Sequence, residues 1–570
     1  MKDLKIKFFA IFCVLSGIMS VNTMYAQTLP VGTQGLEDYY RRLQLVGKLD
    51  SNISFSQRPL TREAIQKSNI FDPDSLLNTP SIGQIQSFAK GKGSFQLLPV
   101  SWQQQVNTHH PYGWNDGGMI PAKGYQTMVS AGFFAKFGPL SIQLRPEFVY
   151  AANTDFESYG DNRSDADLSL YYYELLRMDA PERFGNGAYK KLLWGQSSIR
   201  LTFGPASIGL SNENLWWGPG MRNSIMMSNN AQGFKHLTLN TVRPIRTAIG
   251  SFEGQVISAR LDDSGYTPLP VQFLSTGEPL HIPYRQDWRY LTGFNLNYQP
   301  KWIPGLFLGF TRTFMAYNND LSSFNDYFPF FTSFQKNTLA EDGQNVVEEA
   351  YHRDQRTSLY ARWVFPKAHA EIYFEYALND NSFDFRDFIG SPEHSRAYQF
   401  GITKMIPLKG KKDEFIHVNA EVTQLSQTID GILIRPAFGF YYHGGVRQGY
   451  TNNGEVLGAG TGSGGNLQSI DLNWVKGLKK IGLGFERYEH NKDFSDLFEI
   501  SPNGNRKWVD FAVAAQGSWD YKNLIFNAKL QGIKSLNYQW RQKDFTREAF
   551  YIPHNDAYNF HGELGVTYRF

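Results

Sequence analysis

Residues 212–234 read NENLWWGPGMRNSIMMSNNAQGF. Trp216 and Trp217 supply flat apolar faces, and Arg222, Asn229 and Asn230 supply directional donors and acceptors, all within fifteen residues. Indole rings pack against the C–H face of a sugar, and guanidinium and amide groups match its hydroxyls. The set therefore has the composition of a glycan-binding platform. A purely structural use fits equally well: interfacial tryptophans as anchors and the Asn-Asn pair as a turn. The stretch is too polar for a core strand and too rich in Gly, Pro and Asn for a helix.

Other chemistry is sparse. The sequence contains no HExxH, GxSxG or phosphate-loop motif, so no catalytic residue is assigned. The single cysteine, Cys13, lies in the first 26 residues, which excludes disulfides and thiolate metal sites from the exported chain. His109 and His110 are adjacent and would point to opposite faces of a strand, which suits stacking better than metal ligation. No metal and no cofactor are expected. The mixed charges of DAPERFG (179–185) and AEDGQNVVEEAYHRDQR (340–356) read as solvated surface or as a charged vestibule for an anionic polymer.

The elements that must position these residues begin with export. Lys2, Lys5 and Lys7 precede an apolar run from Phe8 to Val21, and Ala26 ends the segment. This is a signal peptide over 1–26. The net charge of +3 gives no basic excess of the kind nucleic acid demands. Mean hydropathy is −0.40, and no later apolar run is long enough for a membrane helix. Yet 31 Tyr, 44 Phe, 12 Trp and 52 Gly are present. A polar average with many aromatics and glycines fits strands that alternate between two environments, as in an outer-membrane β-barrel.

GLEDYYRRLQLVGKL (35–49) places Leu36, Tyr39, Tyr40, Leu43 and Val46 at helical spacing. Thr61 to Ile65 predicts a second short helix after Pro59. Residues 27–123 are read as a mostly helical periplasmic region with a connector. From 124 the period is two. YQTMVSAGFFAKF and LSIQLRPEFVY flank Gly138-Pro139 as a hairpin, and similar pairs recur around Gly204-Pro205, Trp302 to Gly305 and Pro366-Lys367. The last strand, NFHGELGVTYRF, carries Phe560, Leu564, Val566, Tyr568 and Phe570 on one face. It resembles the terminal signal by which outer-membrane barrels meet their assembly machinery.

Residues 124–570, at about 25 per strand and connection with about ten in the membrane, predict an all-β transmembrane barrel of about 18 antiparallel strands. Short turns should be periplasmic. The long loops, 151–194, 262–288, 318–356, 378–395, 426–472 and 536–558, should be extracellular. GEVLGAGTGSGGN (454–466) reads as a mobile loop tip.

The run LWWGPG followed by NSIMMSNNAQGF closely resembles the central motif of the Wzi family of capsule-assembly outer-membrane proteins. PERFG (181–185), WGQSSIRL (194–201), YGWNDGGMIPAKGYQ (112–126) and LEDYYRRLQLVGKLD with RPLTREAI are similar to other parts of that family. The resemblance implies a barrel of about eighteen strands with a helical bundle at its periplasmic end. It also implies a non-enzymatic, lectin-like role in which capsular or extracellular polysaccharide is held at the cell surface. Trp216 and Trp217 would stack, and Arg222, Asn229 and Asn230 would hydrogen-bond. The expected partners are that polysaccharide, outer-membrane lipid and, through Phe570, the barrel-assembly machinery; a monomer is expected, with no nucleic acid. A general diffusion porin is the alternative, and a barrel hydrolase a third reading.

Overall fold

Successive side chains on a strand point to opposite faces, and this chain puts its apolar residues on the outside. Ile470, Leu472, Ile481, Leu483, Phe485, Phe511 and Val513 are exposed, while Gln399, Thr403, Glu421, Asn473 and Gln531 are buried. A sheet inverted in this way belongs in lipid and must close, because hydrocarbon offers no partner to a free edge. The computed structural model describes residues 27–75, 77, 85–330, 353–379, 389–428, 439–500, 507–541 and 555–570. The expected signal segment, 1–26, lies outside them.

Eighteen antiparallel strands form the closed wall. They are β1 (Gly93–Asn107), β2 (Gly124–Phe137), β3 (Leu140–Leu144 with Glu147–Ala151), β4 (Tyr189–Leu193 with Ser198–Phe203), β5 (Ala206–Ser211) and β6 (His236–Thr241 with Ile245–Thr247). Then come β7 (Gly250–Leu261), β8 (Arg289–Pro300), β9 (Leu306–Tyr317), β10 (Asp354–Phe365), β11 (Ala370–Asn379) and β12 (Arg396–Pro407). The last are β13 (Glu414–Gln424), β14 (Asn466–Lys476), β15 (Lys479–Glu489), β16 (Val509–Tyr521), β17 (Leu524–Leu536) and β18 (Ala557–Tyr568). Each strand pairs with the next, and β18 returns to β1, with His561 opposite Asn107 and Tyr568 opposite Val100.

The barrel therefore starts at Gly93, one strand before the boundary expected at 124. In β1 a register shift between Leu98 and Ser101, at Pro99, breaks the alternation, and Gln103, Gln104 and Gln105 give it a polar look. The period-two signal is hidden for that reason.

Short turns cluster at one end and long connections at the other. Helix α1 (Leu36–Leu45) lies at the short-turn end, seated in the mouth of the barrel. Its Leu45 packs with Phe307, Val364, Met405 and Val475, which are inward residues at strand ends next to the short turns. Leu36 and Tyr40 join Leu98, Phe134, Leu478 and Ile525 of the wall. The segment 27–75 is thus a plug built against the wall. The short helix Arg62–Ile65 is present as expected, with the Ala64 amide donating to the Thr61 hydroxyl at 3.1 Å.

At the long-loop end helix α2 (Asp165–Leu175) is capped by Ser164 and Asp167. Leu168, Tyr172 and Leu175 form a small core with Tyr159, Leu269, Leu280, Phe494 and Trp540. The glycine-rich run expected to be a mobile loop tip is instead packed inside: Val456, Leu457 and Ala459 are buried with Trp217, Met226 and Tyr441. Glycine serves close approach there, since a Cβ on Gly458 would lie 2.1 Å from the Ile225 carbonyl oxygen.

The inverted wall makes a direct prediction. Leu472→Arg places a charge on the lipid face of β14 and should cost about 2–4 kcal/mol in a reversible bilayer-folding titration.

Candidate functional site

The segment 212–234 leaves the wall at the top of β5 and turns into the lumen. Trp216 and Trp217 pair antiparallel with Arg58 and Gln57 of the plug, and the Gly218 amide donates to the Ser56 carbonyl at 3.0 Å. Two segments about 160 residues apart in sequence thus form one internal sheet. Gly218 has φ 147°, and a Cβ there would lie 2.7 Å from Ser224 Oγ and 2.8 Å from Glu375 Oε2. The Gly-Pro-Gly turn needs glycine at that point. Arg41 of α1 donates to the Pro219 carbonyl at 2.8 Å, and Arg58 to that of Gly220 at 2.9 Å.

The next three amides, of Met221, Arg222 and Asn223, converge on the carboxylate of Glu421 from β13 at 2.8, 3.0 and 2.8 Å. Tyr373 adds a fourth donor at 2.7 Å. A carboxylate receiving consecutive backbone amides is a compact electrostatic clamp. A second clamp holds the plug. Glu371 of β11 accepts from Arg41 at 2.8 Å and from Arg362 at 2.7 Å, and Arg362 also donates to the Ser54 carbonyl at 2.9 Å. Buried charges are tolerated only when paired and hydrogen-bonded in this way.

The five candidate sugar contacts all sit in this lumen assembly. Trp217 is 0% exposed, and its indole donates to Gln255 at 2.8 Å. Trp216 is 3% exposed, with the Arg58 guanidinium 4.2 Å above its ring. Arg222 is ion-paired with Glu486 and lies 5.0 Å from the ring of Trp114. Asn229 donates to the Asn115 carbonyl at 2.9 Å, and Asn230 to that of Val456 at 3.0 Å. These residues, read from the sequence as a candidate glycan platform, lie inside the lumen and not on an outward face. Each is packed or bonded within the fold, and Trp217 has no exposed surface at all. Trp216, Arg222 and Asn229 border an internal polar cavity of about 290 Å³ that Arg58, Asp116 and Glu147 also line.

Outside the strands, burial pushes the Asp116 carboxyl up to about 6, against the opposing hydrogen bond from Gln105. Burial also lowers Arg58 to about 10, and Glu37 beside it opposes that shift. In the outer cap, burial raises Glu182 to about 7 although the Tyr159 amide and Tyr171 hydroxyl both donate to it. His109 and His110 do not point to opposite faces: they lie outside a strand, their rings meet edge-on with centroids 5.2 Å apart, and His110 lies 4.6 Å from the Tyr538 ring.

Sequence reasoning passed over Glu421, Arg41 and Arg362 as site-forming residues. Glu371 and Glu421 did carry a signal, as charges at inward positions of otherwise apolar alternating strands. Nothing in one sequence shows which distant segment such a charge will clamp.

A closed, polar-lined barrel with an apolar outer wall, filled from both ends by its own chain, defines a plugged outer-membrane barrel. A profile described as "Capsule assembly protein Wzi" matches residues 98–536, and the chain belongs to that family and to the outer membrane. Among solved structures it is similar to Escherichia coli Wzi, described as an outer-membrane protein involved in group 1 capsule assembly and a carbohydrate-binding β-barrel. Identity is 12%, the TM-score 0.58, and the match covers 95% of this chain and 100% of that one. Pseudomonas aeruginosa OprD matches at 8% identity and TM-score 0.38, covering 86% and 98% of the two chains. Acinetobacter baumannii OccAB2 matches at 10% and 0.37, covering 82% and 97%. No curated protein sequence matches.

Two outcomes are expected. Trp217→Ala should lower stability by about 3–5 kcal/mol, read from denaturant midpoints, because it empties a filled lumen. Glu182 has a folded pKa above the ordinary carboxylate value, so the fold favours its protonated form. Its contribution is present below about pH 4.5 and lost as pH rises through about 7. Amide exchange in 159–182 should therefore be faster at pH 8.5 than at pH 5 after correction for intrinsic rates, and Glu182→Gln should flatten the difference.

Proposed function

We propose that this protein is a non-enzymatic, lectin-like peg that holds capsular or extracellular polysaccharide at the outer face of the outer membrane. The observation that carries the reading is the filled lumen in a chain of the capsule-assembly family. Wall, plug and the 212–234 segment are cross-bonded by Glu371 and Glu421. A diffusion porin is served by an open polar bore, and this interior is spent on holding chain in place. The short turns and α1 face the periplasm and the long loops face outward, where α2 and its small aromatic core present a rigid surface. The molecule works as a monomer, since one chain supplies all eighteen strands of the wall and joins the last to the first, and Phe570 directs it to the barrel-assembly machinery.

In place of sugar stacking on Trp216 and Trp217, contact runs through the outer cap around α2 and its aromatic core, with the buried motif fixing the wall beneath it. Family membership and the carbohydrate-binding description of the Escherichia coli protein support this reading. Deleting the protein should release polysaccharide from the cell surface with total polymer unchanged, measured as cell-bound against secreted polymer. Unchanged retention would overturn the proposal. Liposome swelling at a rate matching an open porin would favour the porin instead.

A further inference from the structure

The departure of 212–234 into the lumen leaves the wall incomplete. Strand β5 stops at Ser211, which lies opposite Ser198. Continued in register, the residues after it would have covered the upper half of β4. They are inside instead, and β6 resumes only at His236. Among the described residues Tyr189–Leu193 pairs with β3 on one edge and with no strand on the other. The barrel thus has a lateral notch at its long-loop rim, between β4 and the end of β7.

The floor of the notch is closed. The Asn212 side chain donates to the Gly195 carbonyl at 3.2 Å, and Gln196 to Asn214 at 2.9 Å. Its back is the turn at 452–454. The Asn453 amide donates to the Asp262 carbonyl at 2.8 Å, and Lys191 reaches across to Asn453 Oδ1 at 3.1 Å. What stays open is a cavity of about 480 Å³ lined by Phe184, Tyr189, Lys191, Ser264, Tyr266 and Asn453. Phe184 holds both tyrosines edge-on, with ring centroids 6.1 and 5.6 Å away. Below its mouth, on the lipid side, Leu192 is 74% and Trp194 63% exposed.

An unpaired strand edge in a membrane wall needs hydrogen-bonding partners, which acyl chains cannot supply. A polyhydroxyl group can. Aromatic faces beside hydroxyl, amide and ammonium groups suit a sugar. Beside Lys191 the lining offers the hydroxyls of Tyr189, Ser264 and Tyr266 and the amide of Asn453, which suit the hydroxyls of a sugar. The apolar ledge directly below suits a hydrocarbon chain.

We propose that this notch binds the sugar headgroup of a glycolipid lying in the surrounding leaflet, with its acyl part against Leu192 and Trp194. The site is separate from the loop surface assigned to free polysaccharide. The test uses full-length protein in nanodiscs containing lipopolysaccharide from the producing cells. A photo-crosslinking p-benzoylphenylalanine is placed at Leu192, or at Leu472 on another part of the wall as control.

Crosslinking to lipopolysaccharide should be about tenfold higher from 192 than from 472, and Tyr189→Ala/Tyr266→Ala should remove about that factor. Folding is checked by the heat-dependent gel shift. If the double variant does not fold, Tyr266→Phe, which keeps the ring, should show a smaller loss. Equal crosslinking from the two positions, or no change in a folded variant, would overturn the proposal. So would full competition by deacylated oligosaccharide, which would make this a site for soluble sugar. Binding of free polysaccharide, assayed on the same variants, should be unchanged, so failure of the retention reading and failure of the notch are seen separately.

Discussion

The whole molecule depends on one constraint: in hydrocarbon a backbone amide has nothing to bond to except another part of the chain. That forces the wall to close, and β18 on β1 is where it does so. Closure with an apolar exterior turns the polar face of every strand inward. A polar interior of this diameter has to hold water or more protein. This chain fills much of it with protein, and the rest of the architecture follows from how that filling is fastened.

Fastening by charge is the economical solution in such an interior. Apolar contacts are available only where wall residues near the short turns are apolar, and α1 uses them. Deeper in, the inward faces offer Glu, Arg, Gln and Thr. Two carboxylates, Glu371 and Glu421, therefore do what a leucine cluster does in a soluble core. Each binds a different segment, and Arg58 links the two by contacting both Trp216 and the Gly220 carbonyl. The cost of burying these ions is offset because each carboxylate receives several donors.

How much of this was legible in the sequence follows the same logic. Period-two alternation is a property of neighbouring residues, so most strands and the hairpin turns could be read directly, whereas the number eighteen came from chain length at an average spacing and from the family resemblance. Strand β1 escaped because one bulge and three glutamines masked its period. The motif around Trp216 stood out as exceptional, and its composition alone left open whether it lies at a rim or inside the lumen. Polar residues beside tryptophan suggest a surface only when interiors are apolar. In an inverted barrel the same composition belongs inside, and the glycine-rich run at 454–466 was misread as mobile for the same reason. Partners such as Glu421 for the 221–223 amides are about 200 residues away, and no local pattern encodes that distance.

The plug precedes β1 in the chain, and the segment around Trp216 lies between strands that close around it. Once β1 meets β18, plug, internal segment and wall are held in one cross-bonded unit. The two ends of the barrel therefore communicate through protein: a displacement of the plug at the short-turn mouth pulls on the strand pair at Trp216 and Trp217, and through it on the loops above.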